Sequence, residues 1–198
     1  MPEAPTNVVD GPDFLARFRE RDPAIVQTLA TLYLRQIFRA ARGAGLETAR
    51  AEDVVQSTFA TLIETAPRFE GRSHIRTWLF GILYRKISEV RRDLGKDRRT
   101  DDIEEVMENR FKPDGTWLRP PLPVETALEA TEIRDAIAGC LEGVPTSQRM
   151  AFILREVEGF STKEICKILD VSRTNFGVLI YRARNRLREC LEAKGMRR

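Results

Sequence analysis

Apolar residues recur at helical spacing along most of this chain, and almost no stretch alternates with period two. The expected fold class is all-α. A short apolar and basic stretch covers Phe14 to Phe18. A longer helix is expected from Pro23 to Ala41, with Leu29, Leu32, Tyr33 and Ile37 at core spacing and Gly43 and Gly45 ending it. A third runs from Ala51 to Ala66 and stops at Pro67, and a fourth from about Ile75 to Arg92. Helical patterns return over about Glu125 to Leu141 and Thr146 to Val157, where Pro145 suits a helix start.

The last two helices form the most distinctive unit. Ser161 and Glu164 have capping-box spacing, a hydroxyl for a backbone N–H three residues on and a carboxylate reaching back. Ile165, Ile168 and Leu169 give that helix one apolar face. Asp170-Val171-Ser172 breaks the pattern; Ser172 can cap the next helix and Val171 can plug the corner. Beyond it Phe176, Ile180, Ala183, Leu187 and Leu191 should face a core. Arg173, Thr174, Gly177, Tyr181, Arg184 and Arg188 lie towards the other side. A short helix, a tight turn and a basic second helix make the pattern of a helix-turn-helix, which presents one helix to the major groove. Two amphipathic bundle helices with a basic outer face are the plainer alternative.

Between the helical blocks, Lys96 to Glu125 carries Pro113, Gly115, Pro120, Pro121 and Pro123 behind the acidic run Asp101-Asp102-Ile103-Glu104-Glu105. This is a linker composition. The expected organisation is a domain at 12–95, a linker at 96–124 and a helix-turn-helix domain at 125–194. Trp117 reads more naturally as packed on a neighbouring domain than as functional.

Net charge over the 198 residues is only +3, but its distribution is uneven. Arg72, Arg76, Arg85, Lys86, Arg91, Arg92, Lys96, Arg98 and Arg99 make one basic patch, and the chain after Arg173 a second, with the acidic run between. That arrangement suggests two DNA-contacting modules joined by a segment that avoids DNA. Three solvated faces are the alternative. Cys140, Cys166 and Cys190 are odd in number with no CxxC pair, and His74 is the only histidine, so neither a zinc site nor a disulfide framework is expected and a reducing cytoplasm fits. No long apolar span or signal-peptide pattern is present. No catalytic residue, metal site or cofactor is expected.

Two strings in the first half carry more. Ala51-Glu52-Asp53-Val54-Val55-Gln56-Ser57-Thr58-Phe59 is followed by Arg68-Phe69 and then Arg76-Thr77-Trp78-Leu79-Phe80. Together with Val144-Pro145, Gln148-Arg149, Leu154-Arg155-Glu156-Val157-Glu158-Gly159-Phe160-Ser161 and Tyr181-Arg182-Ala183-Arg184, these resemble the signatures of bacterial RNA polymerase sigma factors of the extracytoplasmic-function (ECF) group. Ile75 stands where the family's second signature has Phe. The resemblance covers roughly residues 20 to 95 and 125 to 192.

The resemblance implies roles that the residues alone do not. The exposed face carrying Glu52, Asp53 and Gln56 would dock on the clamp helices of the largest polymerase subunit, and the second domain on the flap of the second-largest. The loop Gly71-Arg72-Ser73-His74 would form a pocket for a flipped base of the −10 element. Aromatic platforms contribute roughly 1–3 kcal/mol per stacked base while basic side chains hold the backbone. Arg76, Trp78, Tyr84, Arg85, Lys86, Arg91 and Arg92 are the candidates there, with core packing an equal alternative for Trp78. At the −35 element the candidates are Arg173, Thr174, Asn175, Gly177, Tyr181, Arg182, Arg184 and Arg188; Arg can pair with guanine and Asn with adenine. The acidic linker would thread the RNA exit path, and an anti-sigma factor would hold the protein inactive.

Departures from the family limit the transfer. Gly81 and Arg85 stand where relatives often have Arg and Asn. Gly177-Val178-Leu179 stands where they commonly have Lys-Ser-Arg, so two positive charges are missing and the salt dependence of binding there should be shallower. Two rivals remain at this point: a free-standing helix-turn-helix regulator, against which the lack of an evident dimer segment counts, and an enzyme acting on nucleic acid, for which no metal-site or phosphate-loop spacing is present.

Overall fold

Among the described residues, which are 9, 11, 13–95 and 131–195 (with no side-chain description for 131–135), the computed structural model is built of helices and contains no strand. The linker, Trp117 and the acidic run lie outside them, as does the expected helix start before Thr131. The helices are α1 (Phe14–Arg19), α2 (Pro23–Gly43), α3 (Thr48–Thr65), α4 (Ile75–Asp93), α5 (Thr131–Leu141), α6 (Thr146–Phe152), α7 (Thr162–Leu169) and α8 (Arg173–Ala193). A 3₁₀ turn, Ala66–Arg68, follows α3, and a π turn, Ile153–Val157, extends α6.

Local chemistry sets the boundaries. Asp22 caps α2 by accepting from the Ala24 N–H at 2.8 Å, with Pro23 in the first turn where its missing N–H is harmless. The Arg17 guanidinium, 2.7 Å away, and the Ala24 N–H hold the Asp22 carboxyl below the usual carboxylate range. His74 caps α4 through Nδ1, which accepts from the Arg76 N–H at 3.1 Å. The capping box at α7 is present: the Ser161 N–H donates to Glu164 at 2.9 Å, and the Ser161 hydroxyl accepts from the Glu164 N–H. Asp170 then takes a left-handed conformation with φ of 55°, a turn that Asp tolerates better than most residues.

The first half packs α1 to α4 around Phe18, Leu29, Ile37, Leu62, Leu79, Leu83 and Ile87, all fully buried. Each contributes about 1.5–3 kcal/mol relative to exposure. This cluster does not end at the linker: Met150, Ile153, Leu154, Phe160, Ile165 and Ile168 belong to it too. Phe160 meets Phe80 edge-on at 4.8 Å between ring centroids. A smaller cluster, with Leu141, Val144, Phe152, Ala183 and Leu187, holds α5, α6 and α8 together.

Arg149 is the most unusual element of the join between the halves. It is buried, and its Nε donates to the Gly43 carbonyl at 2.6 Å. Burial, helped by the charge of Arg91, draws the guanidinium down to about 10, which leaves it charged at neutral pH. Gly45 lies against it with φ of +85°. A methyl at Gly45 would collide with Arg149 Nη1 and strain a left-handed backbone. Gly45→Ala should therefore cost roughly 1–3 kcal/mol, read as a lower chemical-denaturation midpoint; an unchanged midpoint would show that Arg149 moves aside freely.

One expectation is overturned. Cys140 and Cys190 form a disulfide, with Cα atoms 5.6 Å apart and a sequence separation of 50. Spacing gave no hint because the partners sit on different helices, α5 and α8, which only packing brings side by side. Cys166 is the free thiol among the described residues.

Candidate nucleic-acid interface

Three surfaces carry the residues singled out from the sequence. On α3, Ala51, Val54, Val55 and Thr58 turn inward, which leaves Glu52, Asp53 and Gln56 exposed together on the opposite face. One helical turn separates Asp53 from Gln56, so both can meet one partner surface.

The second surface is the loop before α4. Phe69 is buried beneath it, Gly71 turns it with φ of +72°, and Glu70 pairs with Arg72. Arg72 and His74 are exposed and Ser73 half-buried. Trp78 stacks on Phe69 at 4.7 Å and meets Phe18 edge-on at 6.1 Å, so its ring is engaged as a support of the loop. Tyr84 is half-buried, Lys86 lies 3.8 Å from Glu89, and Arg85 and Arg92 are exposed. Arg91 departs from its expected role as a phosphate contact. It is 3% exposed and donates to the Ala44 carbonyl at 2.9 Å, because its position on α4 faces the end of α2. Arg76 also turns inward, as described below.

The third surface is the N-terminus of α8. Ser172 accepts from the Asn175 N–H at 3.1 Å, which fixes the helix start. Arg173, Thr174, Asn175 and Gly177 stand exposed on its first turns. A methyl at Gly177 would meet nothing within 4 Å, so packing does not require glycine there. Further along, the side chains turn back towards the protein. Arg184 donates to Glu156 at 2.5 Å, Arg188 lies 3.9 Å from Glu192, and Tyr181 is half-buried. Arg182 is 5% exposed, facing the interior of the C-terminal half, and cannot reach DNA in this arrangement. Both buried arginines sit on helices whose basic run masks the inward positions; a strict count of helical register from Leu179 and Ala183 marks Arg182 as inward.

Glu164 links the capping box to the other half, because the Thr77 hydroxyl donates to it at 3.2 Å. Burial pushes its carboxyl up, but hydrogen bonds from Ser161 and Thr77 and the charge of Arg76 outweigh this and hold it below its ordinary value of 4.5. A depressed carboxyl contributes stability above the unfolded value and loses it as pH falls through the folded one. Acid titration should accordingly weaken this contact below about pH 4.5, and Glu164→Gln should flatten the acid limb of the stability curve. An identical acid limb in both proteins would count against it.

Residues 29–97 match the family described as Sigma-70 region 2, and residues 134–187 the family described as Sigma-70, region 4. A probable RNA polymerase sigma factor of Haemophilus influenzae is 30% identical over 151 residues, which span 73% of this chain and 78% of that protein. The ECF RNA polymerase sigma-E factor of Escherichia coli is 29% identical over 132 residues, 67% of this chain and 69% of the relative. Among solved structures, the sigma factor RpoE bound to the anti-sigma factor NepR, from Bartonella quintana, superposes with a TM-score of 0.61 at 25% identity, covering 84% of this chain and 96% of that one. CnrH, solved with the cytosolic domain of CnrY, shares the fold at 21% identity, with a TM-score of 0.65 over 90% of this chain and 95% of its own. The chain belongs to the RNA polymerase sigma factors, in their ECF group.

Proposed function

We propose that this chain is an alternative sigma factor: it binds core RNA polymerase, carries it to promoters with particular −35 and −10 elements, and assists strand opening at the latter. The observation that carries the reading is the presence, in one chain and in order, of both matched regions, with a polar exposed face on α3 and an open helix N-terminus on α8. It acts by binding and performs no covalent chemistry.

Glu52, Asp53 and Gln56 are the polymerase contacts, on the clamp helices, and the C-terminal half engages the flap. Arg72, Ser73 and His74 form the base-capturing loop, with Arg85, Lys86 and Arg92 for the phosphates. Arg173, Thr174 and Asn175 read base edges at the −35 element, where each good pair discriminates by about 1–3 kcal/mol. With Arg182 buried and Arg184 paired, few cations are left on α8 for phosphate, so binding by this half should depend shallowly on salt. An anti-sigma protein is the proposed inhibitor, and the cytoplasm the site of action. No helix among the described residues is long and apolar enough to cross a membrane.

Run-off transcription with purified core polymerase tests the reading. Promoter-specific initiation should appear only when the chain is added. Equal binding to a promoter fragment with and without polymerase, together with no specific initiation, would favour a free-standing DNA-binding regulator instead.

A further inference from the structure

The join between the halves is a charged lock around one carboxylate. The π turn Ile153–Val157 ends at Glu158, whose side chain is 1% exposed. Its Oε1 accepts from Arg39 Nη2 at 2.9 Å and Nε at 3.2 Å, and its Oε2 accepts from Arg76 Nη2 at 3.2 Å. Arg76 also donates to the Glu158 carbonyl at 2.9 Å and to Gln36 Oε1 at 3.0 Å, and its guanidinium lies over the Phe160 ring at 4.0 Å. Lys167 on α7 donates to the Arg72 carbonyl at 3.0 Å. Four polar contacts from the C-terminal half therefore converge on α2, α4 and the loop before α4: Glu158 with Arg39 and Arg76, Glu164 with Thr77, Lys167 with Arg72, and Arg149 with Gly43.

This packing is incompatible with reading two promoter elements at once, an argument that rests on the function proposed above. Elements centred at −35 and −10 lie about 25 base pairs apart, or about 85 Å at 3.4 Å per pair. Arg173 is six residues beyond Lys167, a reach of at most about 22 Å even if fully extended. With the lysine side chain and its hydrogen bond added, the start of α8 lies within about 30 Å of Arg72. The two reading surfaces are thus far too close together. A mixed polar and apolar contact of this kind suits separation, since its charged groups can be rehydrated when it opens. Arg39 is already 59% exposed.

We propose that the closed packing is a self-inhibited state of the chain, and that Glu158, clamped between Arg39 and Arg76, is the latch that must release before both promoter elements can be engaged. The surface of α4 around Arg76, Thr77 and Phe80 is then a docking site whose occupant is the C-terminal half of the same molecule. Asp53 and Gln56 stay exposed in this state, so polymerase can be met first and the latch released afterwards. The apparent affinity for polymerase is then lowered by the fraction of molecules that are closed.

The test uses the full chain in a Cys166→Ser background with spin labels at Gln27→Cys and Lys163→Cys, both exposed and outside the proposed contacts. The parent should give one short distance. Glu158→Gln, which keeps the shape and removes the charge, should raise a long-distance population by about tenfold or more, the loss expected for a charge-assisted pair. Arg39→Glu changes an exposed side chain and should do the same by repulsion, so the proposal stays testable if Glu158→Gln does not fold. Both variants should bind core polymerase correspondingly tighter. A parent that is already open, or variants with unchanged distances, would overturn the latch. Variants that open but bind polymerase no better would overturn its inhibitory role. Opening without any polymerase binding by parent or variants would instead refute the sigma reading and leave the latch standing.

Discussion

Replacing Asp53 and Gln56 together by arginine is expected to reduce binding to core RNA polymerase by more than about a hundredfold, the scale of two centrally placed contacts. Folding should be untouched. Both side chains are exposed on α3, while the packing of that helix is carried by Ala51, Val54, Val55, Thr58 and Leu62. Exposed substitutions away from caps and cores usually shift stability by no more than about 0.5 kcal/mol. The measurement is fluorescence anisotropy of labelled chain titrated with core polymerase, beside a thermal melt followed by circular dichroism. A melt that collapses would mark the pair as structural. Intact folding with unweakened binding would move the polymerase contact elsewhere on the chain.

Reducing the Cys140–Cys190 bond should be the largest single loss of stability within the C-terminal half. A cross-link spanning 50 residues restricts the unfolded chain by about 4 kcal/mol in the chain-entropy description. For a protein of this size that corresponds to a fall in Tm on the order of 10 °C. Cys140 sits among Leu141, Val144, Phe152, Ala183 and Leu187, so the thiols would remain in an apolar cluster and α5 would still have a surface to pack on. The reduced protein should therefore stay folded, with α5 and the end of α8 exchanging amide protons first. Melts with and without reductant, and a Cys140→Ser/Cys190→Ser chain as the permanently open form, provide the check. Coincident melts for all three would show that the bond adds nothing. If the protein acts in a reducing compartment, the thiol form is the one that binds DNA.

Ease of reading tracked the range of the interaction. The capping box at Ser161 and Glu164, the cap at Ser172 and the inward face of Phe176, Ala183 and Leu187 were all legible, because each depends on residues within one or two turns. The exposed trio on α3 was legible for the same reason: a helix of known register has one outward side. Arg91 and Arg182 were misread because charge was allowed to outweigh register, and a buried guanidinium contradicts the usual expectation for arginine. Trp78 was open between two roles, and only its neighbours Phe18 and Phe69 decided between them.

By itself, then, the sequence determined the helices, their caps and faces, the helix-turn-helix and the family, since these are carried by local spacing and by motifs in order. Only the tertiary structure decided that Cys140 meets Cys190, that Arg149 spends its charge against the carbonyl of Gly43, and that Glu158 is held between Arg39 and Arg76. Each of these joins residues 50 to 119 positions apart. No periodicity links such partners; they meet only because burying Phe160 against Phe80 brings the two halves of the chain together.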